Sequence, residues 1–150
     1  MTAPVPARAP ATSTQAASTQ ATLFGQGIAF PPRLGADGRF EWAVGHRSIR
    51  DAIRIILTTE PGERIMLPSF GAGLRSFLLE PNVPATHRLM EERIVHAIRR
   101  WEPRVMLTSV VVRPDPDDPG RAVASITYTL VTTQAQERID LAVSVGGGAT

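Results

Sequence analysis

A chain of 150 residues with 43% hydrophobic side chains can bury one ordinary core, so a single domain with flanking segments is the natural organisation. Cysteine is absent and all 16 cationic side chains are arginine, which excludes disulfides, thiolate metal sites and a lysine-dependent P-loop, and fits a reducing compartment. The pI near 10.3 suggests a nucleic-acid partner, but the formal net charge is only +2; without lysine and with one tyrosine, little titrates between histidine and arginine, and the small excess simply persists to high pH.

Residues 1–22 are a low-complexity run of Ala, Thr, Pro, Ser and Gln without an apolar period, and are expected to be disordered. They lack the continuous apolar run of a secretory signal, and no later stretch reaches the length that spans a bilayer, so a soluble protein without membrane insertion is expected. Residues 23–39 hold Gly and Pro densely enough to predict an irregular connection, and 40–44 reads as a strand. Ser48-Ile49-Arg50-Asp51 has the spacing of a capping box. The following Ile49, Ala52, Ile53, Ile56 and Leu57 repeat at helical intervals, with Arg50 and Arg54 on the solvent side.

The stretch 60–81 punctuates itself four times. Pro61-Gly62 has the signature of a type II turn. Arg64-Ile65-Met66-Leu67 predicts a short strand that Pro68 ends by removing a ladder donor. Gly71-Ala72-Gly73 permits a sharp turn into 74–79, whose Leu74, Phe77 and Leu78 share a helical face, and Pro81 stops that helix. Pro84 suits a first helical turn, and Met90, Ile94, Ala97, Ile98 and Trp101 form the stripe of a second long helix. Glu102, as the residue before Pro103, ends it. Three strands are predicted after it: 105–113; 124–131, where Ala124, Ile126, Tyr128 and Leu130 alternate with Ser125, Thr127, Thr129 and Val131; and a last one where Ile139, Leu141, Val143 and Val145 alternate with polar or small residues. The reading is an α+β domain over 40–145, in the order strand, helix, strand, helix, helix, three strands, closing in an antiparallel meander with a frayed end at 146–150.

Candidate catalytic chemistry is thin. Glu60, Glu63 and Glu80 are carboxylates of the type a glycosidase uses, but they lie beside turns and arginines that would keep them ionised, whereas a general acid needs a raised pKa. Gly71-Ala72-Gly73 lacks the third glycine of a dinucleotide loop, since Ser76 stands there, and close backbone packing explains it better. His46, His87 and His96 have no metal-ligand spacing, so no metal or cofactor is expected.

The Pro-Gly-Glu-Arg turn (Pro61, Gly62, Glu63, Arg64), the segment Pro68-Ser69-Phe70-Gly71-Ala72-Gly73-Leu74, the stop Leu79-Glu80-Pro81 and the tripeptide Glu102-Pro103-Arg104 stand in one order. Together they make 40–145 resemble the gene-25-like baseplate wedge family of contractile phage tails and related injection machines. The resemblance implies a non-enzymatic structural component assembled in the producing bacterium and then carried in the tail or particle baseplate. It implies docking of Glu102, Pro103 and Arg104 on the helical core bundle of the wedge. It also implies that the C-terminal strands initiate the sheath by strand exchange, with Ser125, Thr127, Thr129, Val131, Ile139, Leu141, Val143 and Val145 as contact residues. Those strands contain no proline and few charges, unlike guarded sheet edges. Wedge proteins and sheath subunits are the implied partners, hub or spike proteins further candidates, and nucleic acid or a small-molecule substrate are not. Members of the family have often been labelled lysozyme-like, and a peptidoglycan-cleaving hydrolase is the alternative.

Overall fold

The computed structural model describes residues 24–146. The low-complexity segment 1–22 and most of the expected frayed end lie outside them. Strands β1 (Gln26–Ile28) and β2 (Trp42–Val44) precede helix α1 (His46–Thr58), a 3-10 helix (Leu74–Leu79) and helix α2 (Pro84–Trp101), and three strands follow, β3 (Val105–Pro114), β4 (Arg121–Leu130) and β5 (Gln136–Ser144). The α+β class and the closing antiparallel meander are as expected.

Four local expectations are corrected. Segment 23–39 is not wholly irregular, because β1 pairs antiparallel with β2, Ile28 opposite Trp42, and Leu34 bridges to Phe40. The capping box does not form. Gly45, at φ 66°, admits the chain to α1 two residues before Ser48, and the Asp51 carboxylate instead accepts the Phe30 amide at 3.1 Å. Residues 64–67 are not a strand but part of a folded loop, in which the Gly62 amide donates to the Pro68 carbonyl at 2.7 Å and the Leu67 amide to the Arg64 carbonyl at 3.2 Å. Lastly, 74–79 winds as a 3-10 helix, so Leu74 and Phe77, three apart, go inward while Leu78 is left half exposed.

The core forms where three faces meet. From α1 come Ile49, Ile53, Ile56 and Leu57, and from α2 Met90, Ile94, Ala97 and Ile98; the sheet supplies the inward row of β4, Ala122, Ala124, Ile126, Tyr128 and Leu130. Every second residue of β4 is buried, the pattern of a strand with one face on a core. Each fully buried Ile or Leu here contributes about 1.5–3 kcal/mol relative to exposure. Sheet order is β3-β4-β5, so β4 is paired on both sides, and β3 and β5 are the edges.

Candidate functional site

The stretch 60–81 is built to hold the end of α1. Gly62 takes φ 92° and the Glu63 amide donates to the Glu60 carbonyl at 3.1 Å, completing the expected Pro61-Gly62 turn. The Ala72 amide then donates to the Ile56 carbonyl at 2.9 Å, satisfying one of the orphan carbonyls of the last helical turn. Gly71 sits so close that a Cβ there would lie 2.2 Å from the Thr59 carbonyl oxygen, and its φ of 112° already excludes most side chains. Close backbone packing is therefore what this glycine is for. Phe70 packs on Trp101 at 5.2 Å between ring centroids, and the Arg64 guanidinium lies 3.8 Å over the Phe70 ring. From α2, Arg93 donates to the Gly73 carbonyl at 3.0 Å and to the Ser76 hydroxyl at 2.7 Å.

Two of the three carboxylates of the hydrolase alternative serve the same loop. Glu63 accepts the Glu60 amide at 3.1 Å, Glu60 accepts the Arg75 amide at 2.7 Å, and the Arg75 guanidinium lies 3.7 Å from Glu63. Glu80 is exposed, and its carbonyl accepts the Gly146 amide at 2.7 Å, tying the chain's last described residue to the motif's stop. The geometry brings Glu60 and Glu63 together at a turn rather than across a cleft.

At the corner after α2, the two charges of Glu102-Pro103-Arg104 turn on each other. Glu102 is 2% exposed, and its carboxylate accepts Arg104 Nε at 2.6 Å and Nη2 at 2.5 Å, a two-pronged pair. Arg104 Nη1 reaches the Phe24 carbonyl at 2.7 Å, and the Arg104 carbonyl accepts the Val131 amide at 3.0 Å. The hydrogen bonds to Glu102 raise the Arg104 pKa above its ordinary value against the opposing effect of burial. About one third of the Arg104 side chain stays exposed, so part of its donor set faces outward.

The expected exchange residues fall into two groups. Ser125, Thr127 and Thr129 lie on central β4, whose main chain is already paired on both sides, so they line the outer face of the sheet and cannot offer an edge. Val131 lies beyond β4. On β5, Ile139, Leu141 and Val143 face the helices, while Val145, past the strand's end, is buried and donates its amide to the Gly120 carbonyl at 2.9 Å.

At the start of β5, His46 bonds the Glu137 carboxylate, Tyr128 donates to it at 2.9 Å, and Arg50 Nε lies 3.5 Å away. Burial alone would raise the Glu137 carboxyl, but these bonds and charges outweigh it and hold its pKa below the usual carboxylate range. The Tyr128 hydroxyl is pushed well up, first by burial and then by its bond to Glu137. His87 is a brace, bonded through Nε2 to Asn82 Oδ1 at 2.6 Å, while Asn82 Nδ2 donates to the Pro119 carbonyl at 2.8 Å. Among the described residues no group of three or more His, Asp or Glu side chains is arranged to hold a metal, and no helix is long and apolar enough to cross a membrane.

The sequence reading places Arg93 and Glu91 only on the polar side of a helical stripe and Phe24 in an irregular connection; nothing local signals that Arg93 reaches the Gly73 carbonyl, that Phe24 accepts from Arg104, or that Glu91 accepts the Val112 amide at 2.8 Å.

A family model described as baseplate wedge protein gp25 matches residues 43–135. The chain is 38% identical over 76 residues to baseplate wedge protein gp25 of Enterobacteria phage T4, a match spanning 51% of this chain and 58% of that protein's length. It is 34% identical over 79 residues to baseplate protein W of Escherichia phage P2, covering 53% of this chain and 67% of that protein. Among solved structures, a chain of the anti-feeding prophage baseplate superposes with TM-score 0.68 at 38% identity, covering 74% of this chain and 88% of that one. A crystal structure from Geobacter sulfurreducens, provisionally named a tail lysozyme, superposes with TM-score 0.61 at 33% identity, covering 67% of this chain and 91% of that one.

Proposed function

The chain belongs to the gp25 baseplate wedge protein family, and we propose that it acts as a non-enzymatic wedge component of a contractile tail or injection particle, holding the wedge core bundle at one end and starting the sheath at the other. The carrying observation is a three-stranded antiparallel sheet that ends in a regular edge strand, β5, on a domain whose polar motif residues are occupied in bracing loops. An edge strand offers unpaired amides and carbonyls in register, the surface on which an extended arm adds. Docking on the core bundle is assigned to the corner at Glu102, Pro103 and Arg104, where the part-exposed guanidinium keeps outward donors while the Glu102 pair fixes its direction. Wedge proteins and sheath subunits are the proposed partners, hub or spike proteins further ones, with assembly in the producing cell and residence in the baseplate.

The experiment is electron microscopy of particles assembled with the chain truncated before Glu137, which removes β5. Baseplates without sheath are expected; full-length extended sheaths would overturn the reading. The lysozyme name of one structural relative raises the hydrolase alternative. Glu60 and Glu63 are engaged with turn amides, and wild-type protein is expected to leave no clearing on a peptidoglycan zymogram.

A further inference from the structure

The hairpin of β1 and β2 is built inside out. Period two along an extended chain puts Phe40 and Trp42 on one face, and pairing adds Ile28 opposite Trp42 and Leu34 opposite Phe40. All four large apolar side chains are exposed, Leu34 by 65% and Trp42 by 58%, whereas the small Ala29 and Ala43 are buried. A hairpin that served only to cover the core would turn its bulky side inward. The hairpin is also pinned to the domain. The Phe24 carbonyl accepts Arg104 Nη1 at 2.7 Å, and the Phe30 amide donates to the Asp51 carboxylate of α1 at 3.1 Å. Its outward face is thus a fixed apolar platform, with the two cross-strand pairs about 7 Å apart along the chain.

Arginines flank the platform in sequence, Arg33 before Leu34 and Arg39 before Phe40. Both are exposed, and neither side chain has a carboxylate within salt-bridge distance among the described residues. The nearby carboxylates are engaged: Asp37 accepts the Arg39 amide at 3.1 Å, and Glu41 lies 3.9 Å from Arg47. An apolar patch rimmed by polar residues marks a docking surface, and the unmatched positive charge narrows what can cover it. Residues 1–22 fit badly, since they hold no carboxylate, include Arg8, and offer only Met1 and Val5 as large apolar side chains. A second copy would bring the same unmatched arginines to the interface twice over, with its own carboxylates already engaged. Two arginines are also fewer than the basic cluster that holds a protein on an anionic lipid surface.

We propose that this face docks an amphipathic helix of another protein, with an apolar stripe over Ile28, Leu34, Phe40 and Trp42 and carboxylates directed at Arg33 and Arg39. A helix packs on a sheet face through side chains and needs no free edge. Apolar residues at i, i+3, i+4 and i+7 span about 10 Å, enough to cover both cross-strand pairs. Carboxylates beside that stripe set the register of the helix and turn away basic partners. These four residues lie ahead of the stretch 43–135 that matches the wedge-family model, and the platform shares no residue with β5 or with the corner at Glu102, Pro103 and Arg104. The helix is therefore a partner additional to those at the wedge and sheath contacts.

The test uses the full chain and a labelled model helix of Leu and Glu, with Leu recurring at the third and fourth positions, and a version carrying Lys for Glu as control, titrated by anisotropy. The acidic helix is expected to bind at least about tenfold tighter than the basic one at low salt, with the gap shrinking as salt rises. Trp42→Ser and Phe40→Ser are each expected to weaken that binding by about tenfold or more, as for aromatic anchors at an interface, with an unchanged circular dichroism spectrum. Arg33→Glu combined with Arg39→Glu is expected to reverse the preference between the two helices. Ile65→Ser, at an exposed apolar residue of the 62–68 loop, is expected to leave binding as it is. Equal affinity for the two helices overturns the charge assignment, and acidic-helix binding that survives Trp42→Ser overturns the site. Three results would give the face to a different occupant and overturn the helix: a dimer in sedimentation that Trp42→Ser dissociates, Trp42-dependent binding to phosphatidylserine vesicles, or a deletion of residues 1–22 that strengthens acidic-helix binding several-fold.

Discussion

Arg104 shows how far a single guanidinium depends on its neighbour. Glu102 is buried, so Arg104→Ala would leave an unpaired carboxylate inside the protein and orphan the Phe24 carbonyl, a loss on the order of 2 kcal/mol. Its expected signature is a melting temperature several degrees lower in the isolated domain. Glu102→Ala combined with Arg104→Ala should cost less than the sum of the single changes, because the pair is removed whole. Arg104→Lys is expected to resemble the alanine variant more than the wild type, since an ammonium cannot make the two-pronged bond. Additive losses in the double-mutant cycle would mean the pair is not coupled. Sequence reasoning placed this residue at a helix-to-strand corner but did not pair it with Glu102. Spacing two residues apart across a proline does not reveal that the backbone folds both side chains to the same side.

At the scale of elements, long periodic segments were legible and short ones were not. The stripes of α1 and α2 and the alternation of β4 each repeat over many residues, and the structure buries them as read except for Ala52 and Trp101, which are half-buried. The four residues 64–67 have the composition of a strand, yet no neighbouring strand is within the loop's reach, and the 62–68 closure uses the backbone otherwise. Ile65 is 93% exposed and Met66 89%. Ile65→Ser and Met66→Ser are therefore expected to change unfolding free energy by no more than about 0.5 kcal/mol each in denaturant titration, as for surface substitutions generally. A loss of more than about 1 kcal/mol would mean that these side chains are packed in solution. Beginnings of elements were also hard to read: α1 starts at a positive-φ glycine, and its Asp51 answers an amide 21 residues away, a partner that no local window contains. The edges of the meander were legible as strands but not as edges, since which strand lies in the middle depends on the pairing of all three.

Across the whole molecule, the Glu137 carboxylate joins α1, β4 and β5 through His46, Arg50 and Tyr128. Its folded pKa is lowered, so the stability it contributes is fully present above the unfolded carboxylate value of about 4.3 and is lost as pH falls through the lower folded value. Glu137→Gln is expected to lower the melting temperature by a few degrees near neutral pH, about 1–2 kcal/mol, with the gap to wild type closing as the solution is acidified below about pH 4. A gap that stays constant across that range would show that the carboxylate charge is not what holds these elements together.

The contact between Phe24 and His46, 5.2 Å between ring centroids, has a practical corollary. His46 bonds Glu137 at the start of β5, so any sequence spliced immediately ahead of Phe24 is tethered there. A short flexible graft at that point would meet the β5 edge at an effective concentration on the order of millimolar, and a strand-forming graft would then pair with that edge from within the chain. Affinity handles and fluorescent labels on this protein are better joined elsewhere.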